Sequence, residues 1–123
     1  MKTAVPLVAL VTLILSLPAS AHAGKRLTTG SSGLTDSIEC TVINVSETAP
    51  VTVNIRVRNA FGGLVTQIPA LEIPPGSRGL LAANGTDMWC EFIALSGSTK
   101  NLRANMAMYD NGSLAGTEAA RGK

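Results

Sequence analysis

The run Val51-Thr-Val-Asn-Ile-Arg-Val-Arg58 alternates without a break between apolar and polar residues. Successive side chains of an extended strand point to opposite faces, so Val51, Val53, Ile55 and Val57 share one face and Thr52, Asn54, Arg56 and Arg58 the other. A segment of this kind fits an antiparallel sheet with one dry side and one wet side. The rest of the chain after residue 36 repeats the theme in short stretches separated by turn residues. Ser37 to Val45 alternates, with Ile38, Cys40 and Val42 on one face and Glu39, Thr41, Ile43 and Val45 on the other. Further strands are expected near Leu64 to Gln67, Ala70 to Ile73, Arg78 to Ala83, Met88 to Leu95 and Asn101 to Tyr109, with a weaker one at Gly116 to Arg121. The punctuation is Phe61-Gly62-Gly63, Pro74-Pro75-Gly76-Ser77, Asn84-Gly85, Ser96-Gly97-Ser98 and Asp110-Asn111-Gly112. Ile68-Pro69 interrupts one stretch. Proline cannot donate to a sheet ladder, so this region belongs at an edge or corner. No segment beyond the N-terminal apolar run carries a helical period. The pattern predicts an all-β, antiparallel β-sandwich of seven to eight strands.

Residues 1–23 read as a secretory signal peptide. Lys2 supplies the positive end, Val5 to Leu17 the apolar run, and Ala19-Ser20-Ala21-His22-Ala23 two overlapping small-residue cleavage sites. The apolar run is shorter than the roughly 20 residues that span a bilayer. Cleavage after Ala23 leaves 100 of the 123 residues, enough for one domain. Gly24 to Asp36 is rich in Gly, Ser and Thr and reads as a flexible polar leader, with the sandwich domain at 37–123. The expected location is the periplasm or the extracellular medium, with no membrane anchor in the mature form. Cys40 and Cys90, the two cysteines, are expected to pair in that oxidising setting. Both lie on apolar faces, and the sequence leaves open whether the bond joins the two sheets or two neighbouring strands.

Chemistry is narrowed by the single histidine, His22, which falls inside the signal peptide. The mature chain then has no imidazole to serve as a base for a serine or cysteine nucleophile. The remaining carboxylates (Asp36, Glu39, Glu47, Glu72, Asp87, Glu91, Asp110 and Glu118) are scattered, and no paired-acid motif emerges. A non-catalytic protein without a cofactor is expected. Four aromatics, Phe61, Trp89, Phe92 and Tyr109, are too few for a nucleic-acid stacking platform, and no nucleic-acid partner is expected. Met106 and Met108 place two thioethers on one strand face. Soft sulfur suits Cu(I), so a methionine-type periplasmic copper site is the alternative reading, against core packing by the same residues.

Asn44-Val45-Ser46, the alternating run from Val51, the Phe61-Gly62-Gly63 turn and Leu71-Glu72-Ile73-Pro74-Pro75-Gly76-Ser77 together resemble bacterial immunoglobulin-like extracellular domains, including the type found in adhesion modules. The resemblance spans about a third of the chain and implies a sandwich with a surface role. Antibody-type features are missing: no Trp stands near Asn54, and Met88 rather than Tyr precedes the second cysteine by two.

The strand from Met88 is apolar on both faces. Met88, Cys90 and Phe92 share one phase and Trp89, Ile93 and Leu95 the other, and Ile43 and Val45 repeat this on the first strand. If one set lines the core, Trp89, Ile93, Leu95, Ile43 and Val45 face outward and need cover from the leader, a second copy or a partner. These five form the candidate interface, with Trp89 as its anchor. The expected role is protein–protein interaction, self-association included, or a structural part of the cell envelope.

Overall fold

The computed structural model describes residues 25–122, so the expected signal peptide, with His22, lies outside the described residues. The described residues form an all-β sandwich of nine strands: β1 Arg26–Thr28, β2 Ser37–Asn44, β3 Val51–Arg58, β4 Leu64–Ile73, β5 Arg78–Asn84, β6 Trp89–Ala94, β7 Leu102–Asp110, β8 Ser113–Ala119 and β9 Arg121–Gly122. One sheet has five strands in the order β4-β3-β6-β1-β9, the other four in the order β5-β2-β7-β8. Every strand pair is antiparallel. No helix among the described residues is long and apolar enough to cross a membrane.

The alternation in β3 carries over directly. Val51, Val53, Ile55 and Val57 are buried between the sheets, while the polar residues between them are only partly covered. They pack with Ile38, Cys40 and Val42 of β2, Cys90, Phe92 and Ala94 of β6, and Leu102 and Met106 of β7. Cys40 and Cys90 are bonded, with Cα atoms 5.9 Å apart. Cys40 belongs to the four-stranded sheet and Cys90 to the five-stranded one, so the bond joins the two layers. A disulfide suits an oxidising, exported compartment.

The stretch 24–36 reads as a flexible leader, and from residue 25 onward the structure corrects that reading. Arg26–Thr28 forms β1, an interior strand between β6 and β9. Leu27 is buried in the core, and Thr29 and Ser32 are buried after it. The segment has only one apolar residue in the right phase, too little for an alternation to show. Its hold comes from hydrogen bonds: the Thr29 and Ser32 amides donate to Cys90 O (3.1 Å) and Met88 O (2.7 Å). In return the Cys90 and Met88 amides donate to the hydroxyls of Thr29 (2.9 Å) and Ser32 (3.0 Å).

Two further boundaries differ from the sequence expectation. Residues 64–73 form one strand, not two. Pro69 is tolerated because β4 is an edge, where a missing donor need break no ladder bond. Ala70 adopts φ 50°, its amide donates to Asn54 Oδ1 at 2.7 Å, and the register with β3 slips between Val53 and Ile55. At the other end, the expected last strand is divided. β8 pairs with β7 in one sheet and β9 with β1 in the other, the chain changing layer at Ala120. β6 and β7 likewise lie in different sheets, whereas an antibody-type domain keeps the strand after the second cysteine beside it. Here β1 occupies that neighbouring position.

Candidate interaction face on the five-stranded sheet

The outward phase of β6 is Trp89, Glu91 and Ile93. The register sets Arg58, Arg56 and Asn54 of β3 opposite these three in turn. On the other flank β1 sets Thr28 opposite Glu91 and Arg26 opposite Ile93. Glu91 is therefore surrounded by arginines from two strands. Arg58 Nε donates to Glu91 Oε1 at 2.9 Å and Arg26 Nη1 to Oε2 at 3.1 Å, while Arg56 Nη1 stands 3.8 Å from Oε1. The shortest contacts run diagonally across the ladder, within reach of long side chains.

Burial is unequal. The Glu91 side chain is 2% exposed, against 47%, 28% and 23% for Arg26, Arg56 and Arg58. One covered carboxylate thus holds three half-open guanidinium groups, and the cluster carries a formal net charge of +2. Two of the arginines are also tied to their own surroundings. Arg56 Nε donates to Gln67 Oε1 at 3.3 Å, and Arg58 Nη1 donates to Gly62 O at 2.9 Å. A carboxylate bound this closely satisfies the rule that buried charges are paired and hydrogen-bonded. Such fixed guanidinium planes are ready-made donors for a further carboxylate or other oxyanion.

Trp89 borders the cluster, and its indole Nε1 donates to Asn59 O at 3.0 Å. Asn59 begins the β3–β4 turn and organises it: its Oδ1 accepts from the amides of Phe61 and Gly63, both at 2.9 Å. Gly62, at φ 82°, donates to Asn59 O at 3.0 Å. The turn is thus held by its own hydrogen bonds, by Trp89 and by Arg58, and it presents Phe61 with 96% of its surface exposed.

Trp89 and Ile93 lie on this face, half-buried, with the exposed Leu95 just beyond the end of β6. Ile43 and Val45 do not join them. Ile43 is on β2 in the opposite sheet and Val45 follows that strand, its amide donating to Asn101 O at 2.8 Å. The five candidate interface residues therefore fall into two groups on opposite sides of the sandwich. Ile43 instead lines a cavity of about 350 Å³ with Leu27, Leu102, Arg103, Ala104 and Ala120, at the corner where the chain changes sheets. Arg26, Glu91 and Phe61 were not singled out from sequence as parts of one site. The outward phase shared by Glu91 and Trp89 was a usable signal, whereas Arg26 lay hidden in the presumed leader.

The two methionines of the copper reading sit on the inner face of β7. Met106 is fully buried and its sulfur lies 3.6 Å from the Thr29 hydroxyl; Met108 is partly buried against the core. No group of three or more His, Cys, Asp or Glu among the described residues could hold a metal ion.

No protein-family model matches the chain. No curated protein matches it either. Among solved structures, that of Thermotoga maritima 1070 is similar in fold, with a TM-score of 0.55 and 7% sequence identity, over 81% of this chain and 95% of that one. At such identity the likeness extends to the arrangement of strands alone.

Proposed function

We propose that this protein is an exported, non-catalytic binding module that engages a protein partner through the outer face of the five-stranded sheet. The observation that carries the reading is the cluster of Arg26, Arg56 and Arg58 held by Glu91 beside Trp89 and Phe61. A sheet face built only for solubility has no need of a carboxylate taken out of water to fix three guanidinium groups. Arginine and aromatic residues are the types that dominate binding energy at protein interfaces. The immunoglobulin-like reading, that of a surface adhesion module in the periplasm or outside the cell, belongs to the same proposal. The inter-sheet disulfide and the two antiparallel layers support it.

The test is site-specific photo-crosslinking in the exported protein. Phe61 is the position for the photoreactive residue, because its side chain is exposed and makes no side-chain hydrogen bond, whereas Trp89 holds the turn. An adduct of defined mass from position 61, absent when the probe sits at exposed Leu114 of β8, is expected. Equal or absent labelling at both positions would sink the reading.

A further inference from the structure

Arg56 and Arg58 lie two residues apart on one strand, so their Cα atoms are separated by about 6.5–7 Å, the repeat between same-face residues of any extended chain. Arg26 lies two strands away across β6 and level with Asn54, so its Cα stands about 12 Å from that of Arg56, given the spacing of neighbouring strands and of same-face residues. We infer that this face binds an extended acidic segment of a partner protein, with carboxylates at alternate positions placed over Arg56 and Arg58. An apolar side chain of the segment rests against Phe61 and the neighbouring Leu64. This inference rests on the interaction reading above and adds the chemistry of the partner.

Charge complementarity carries it. Glu91 accepts one hydrogen bond each from Arg26 and Arg58 and lies 3.8 Å from Arg56 Nη1, while Gln67 Oε1 and Gly62 O take one donor each from Arg56 and Arg58. A guanidinium has five N–H donors, so each arginine keeps donors for an incoming carboxylate. Arg58 is held by two hydrogen bonds and Arg56 by one, which lowers the ordering cost that a free arginine would meet on binding. Apolar exposure at the same end favours a polypeptide over a bare anion: Phe61, Leu64 and Val65 are all exposed there.

The experiment titrates the full mature chain into a fluorescein-labelled decapeptide of alternating Glu and Val, read by anisotropy in about 50 mM and about 300 mM salt. An alternating Lys and Val peptide is the control. Inorganic phosphate and vesicles containing phosphatidylglycerol are run as competitors. The protein variant is Arg26→Gln with Arg56→Gln, which spares the 2.9 Å Arg58–Glu91 pair and the fold that depends on it. The expected result is saturable binding of the acidic peptide, absent for the basic one. It should be weakened about fivefold by the double variant, which removes the ion pair at Arg56 and the positive charge of Arg26 beside the segment, and weakened by the higher salt.

Equal binding by wild type and double variant overturns the inference, and so does absence of acidic-peptide binding at both salts. Displacement of the peptide by vesicles at lower concentration than by unlabelled peptide assigns the face to a lipid surface and also overturns it. The crosslink from position 61 separates this outcome from failure of the interaction reading. A specific adduct whose yield ignores the double variant leaves the binding module standing and removes only its acidic partner.

Discussion

Replacing Glu91 with glutamine tests whether the carboxylate holds the arginine cluster together. The substitution keeps size and one acceptor oxygen but removes the charge. At an effective dielectric of about 20, each of the contacts at 2.9, 3.1 and 3.8 Å is attractive by about 4–6 kcal/mol before desolvation is counted. Burying the carboxylate offsets most of this, and removing one member of a buried ion pair typically costs about 3–5 kcal/mol. Here the orphaned groups are arginines with 23–47% of their side chains exposed, so they regain water. The glutamine oxygen also keeps a hydrogen bond to one of them. The loss should therefore fall at about 2–3 kcal/mol, which lowers the melting temperature by about 10–15 °C for a domain near 100 residues.

Salt supplies a second and sharper signature. The cluster changes from a formal +2 to +3 on substitution, and the three guanidinium groups then repel one another without a counter-charge between them. Screening relieves this repulsion more in the variant than in the wild type, so the stability gap should narrow between about 0.05 and 0.5 M sodium chloride. Urea unfolding followed by Trp89 fluorescence measures both quantities on one sample series. A loss below about 0.5 kcal/mol, the size of an ordinary surface change, would refute the argument that Glu91 organises the face. So would a gap that salt leaves unchanged.

Other positions separate the parts of the fold. Replacing both Cys40 and Cys90 with alanine should cost about 4 kcal/mol by the chain-entropy estimate for a loop closed across 50 residues; a loss under about 1 kcal/mol in chemical denaturation would show that the sheets hold without the bond. Asn44→Ala removes a fully buried amide that donates to Ala49 O (2.8 Å) and Ile73 O (3.0 Å), and should cost about 2–4 kcal/mol by the same assay. Leu27→Ala should cost about 2 kcal/mol, the low end for a buried leucine because it is the most exposed member of the core, at 9%, whereas a residue in a free leader would cost nothing. Phe61→Ala should leave the melting temperature within about 2 °C, since its side chain is almost wholly in water, while lowering the affinity for the acidic peptide.

Several strand bounds were legible because they follow from local alternation. β3 was bounded to the residue at both ends and β2 to within one. The strands that were misread are those where alternation gives no information. β1 is three residues long with one buried side chain, and β9 is two. In β4 the proline that looked like a stop sits at a bulge on an edge strand, a position that depends on where the strand lies in the sheet.

The candidate face exposes the deeper limit. Phase along β6 could say that Trp89, Glu91 and Ile93 point the same way, and phase along β3 could say the same of Arg56 and Arg58. Whether Glu91 meets those arginines depends on β3 and β6 being neighbours in one register, and that is decided by the whole set of connections. The loop from β5 to β6 could have delivered β6 next to a different strand with the same alternation intact. Glu91 would then have been an exposed acid on a wet face, as scattered as the sequence made it look. What turns it into the centre of a charge cluster is one pairing, Arg56 opposite Glu91, reinforced from the far side by Arg26 on a strand too short to announce itself. The cluster is thus a property of strand order, and a chain can carry all of its residues in plain view without revealing that they meet.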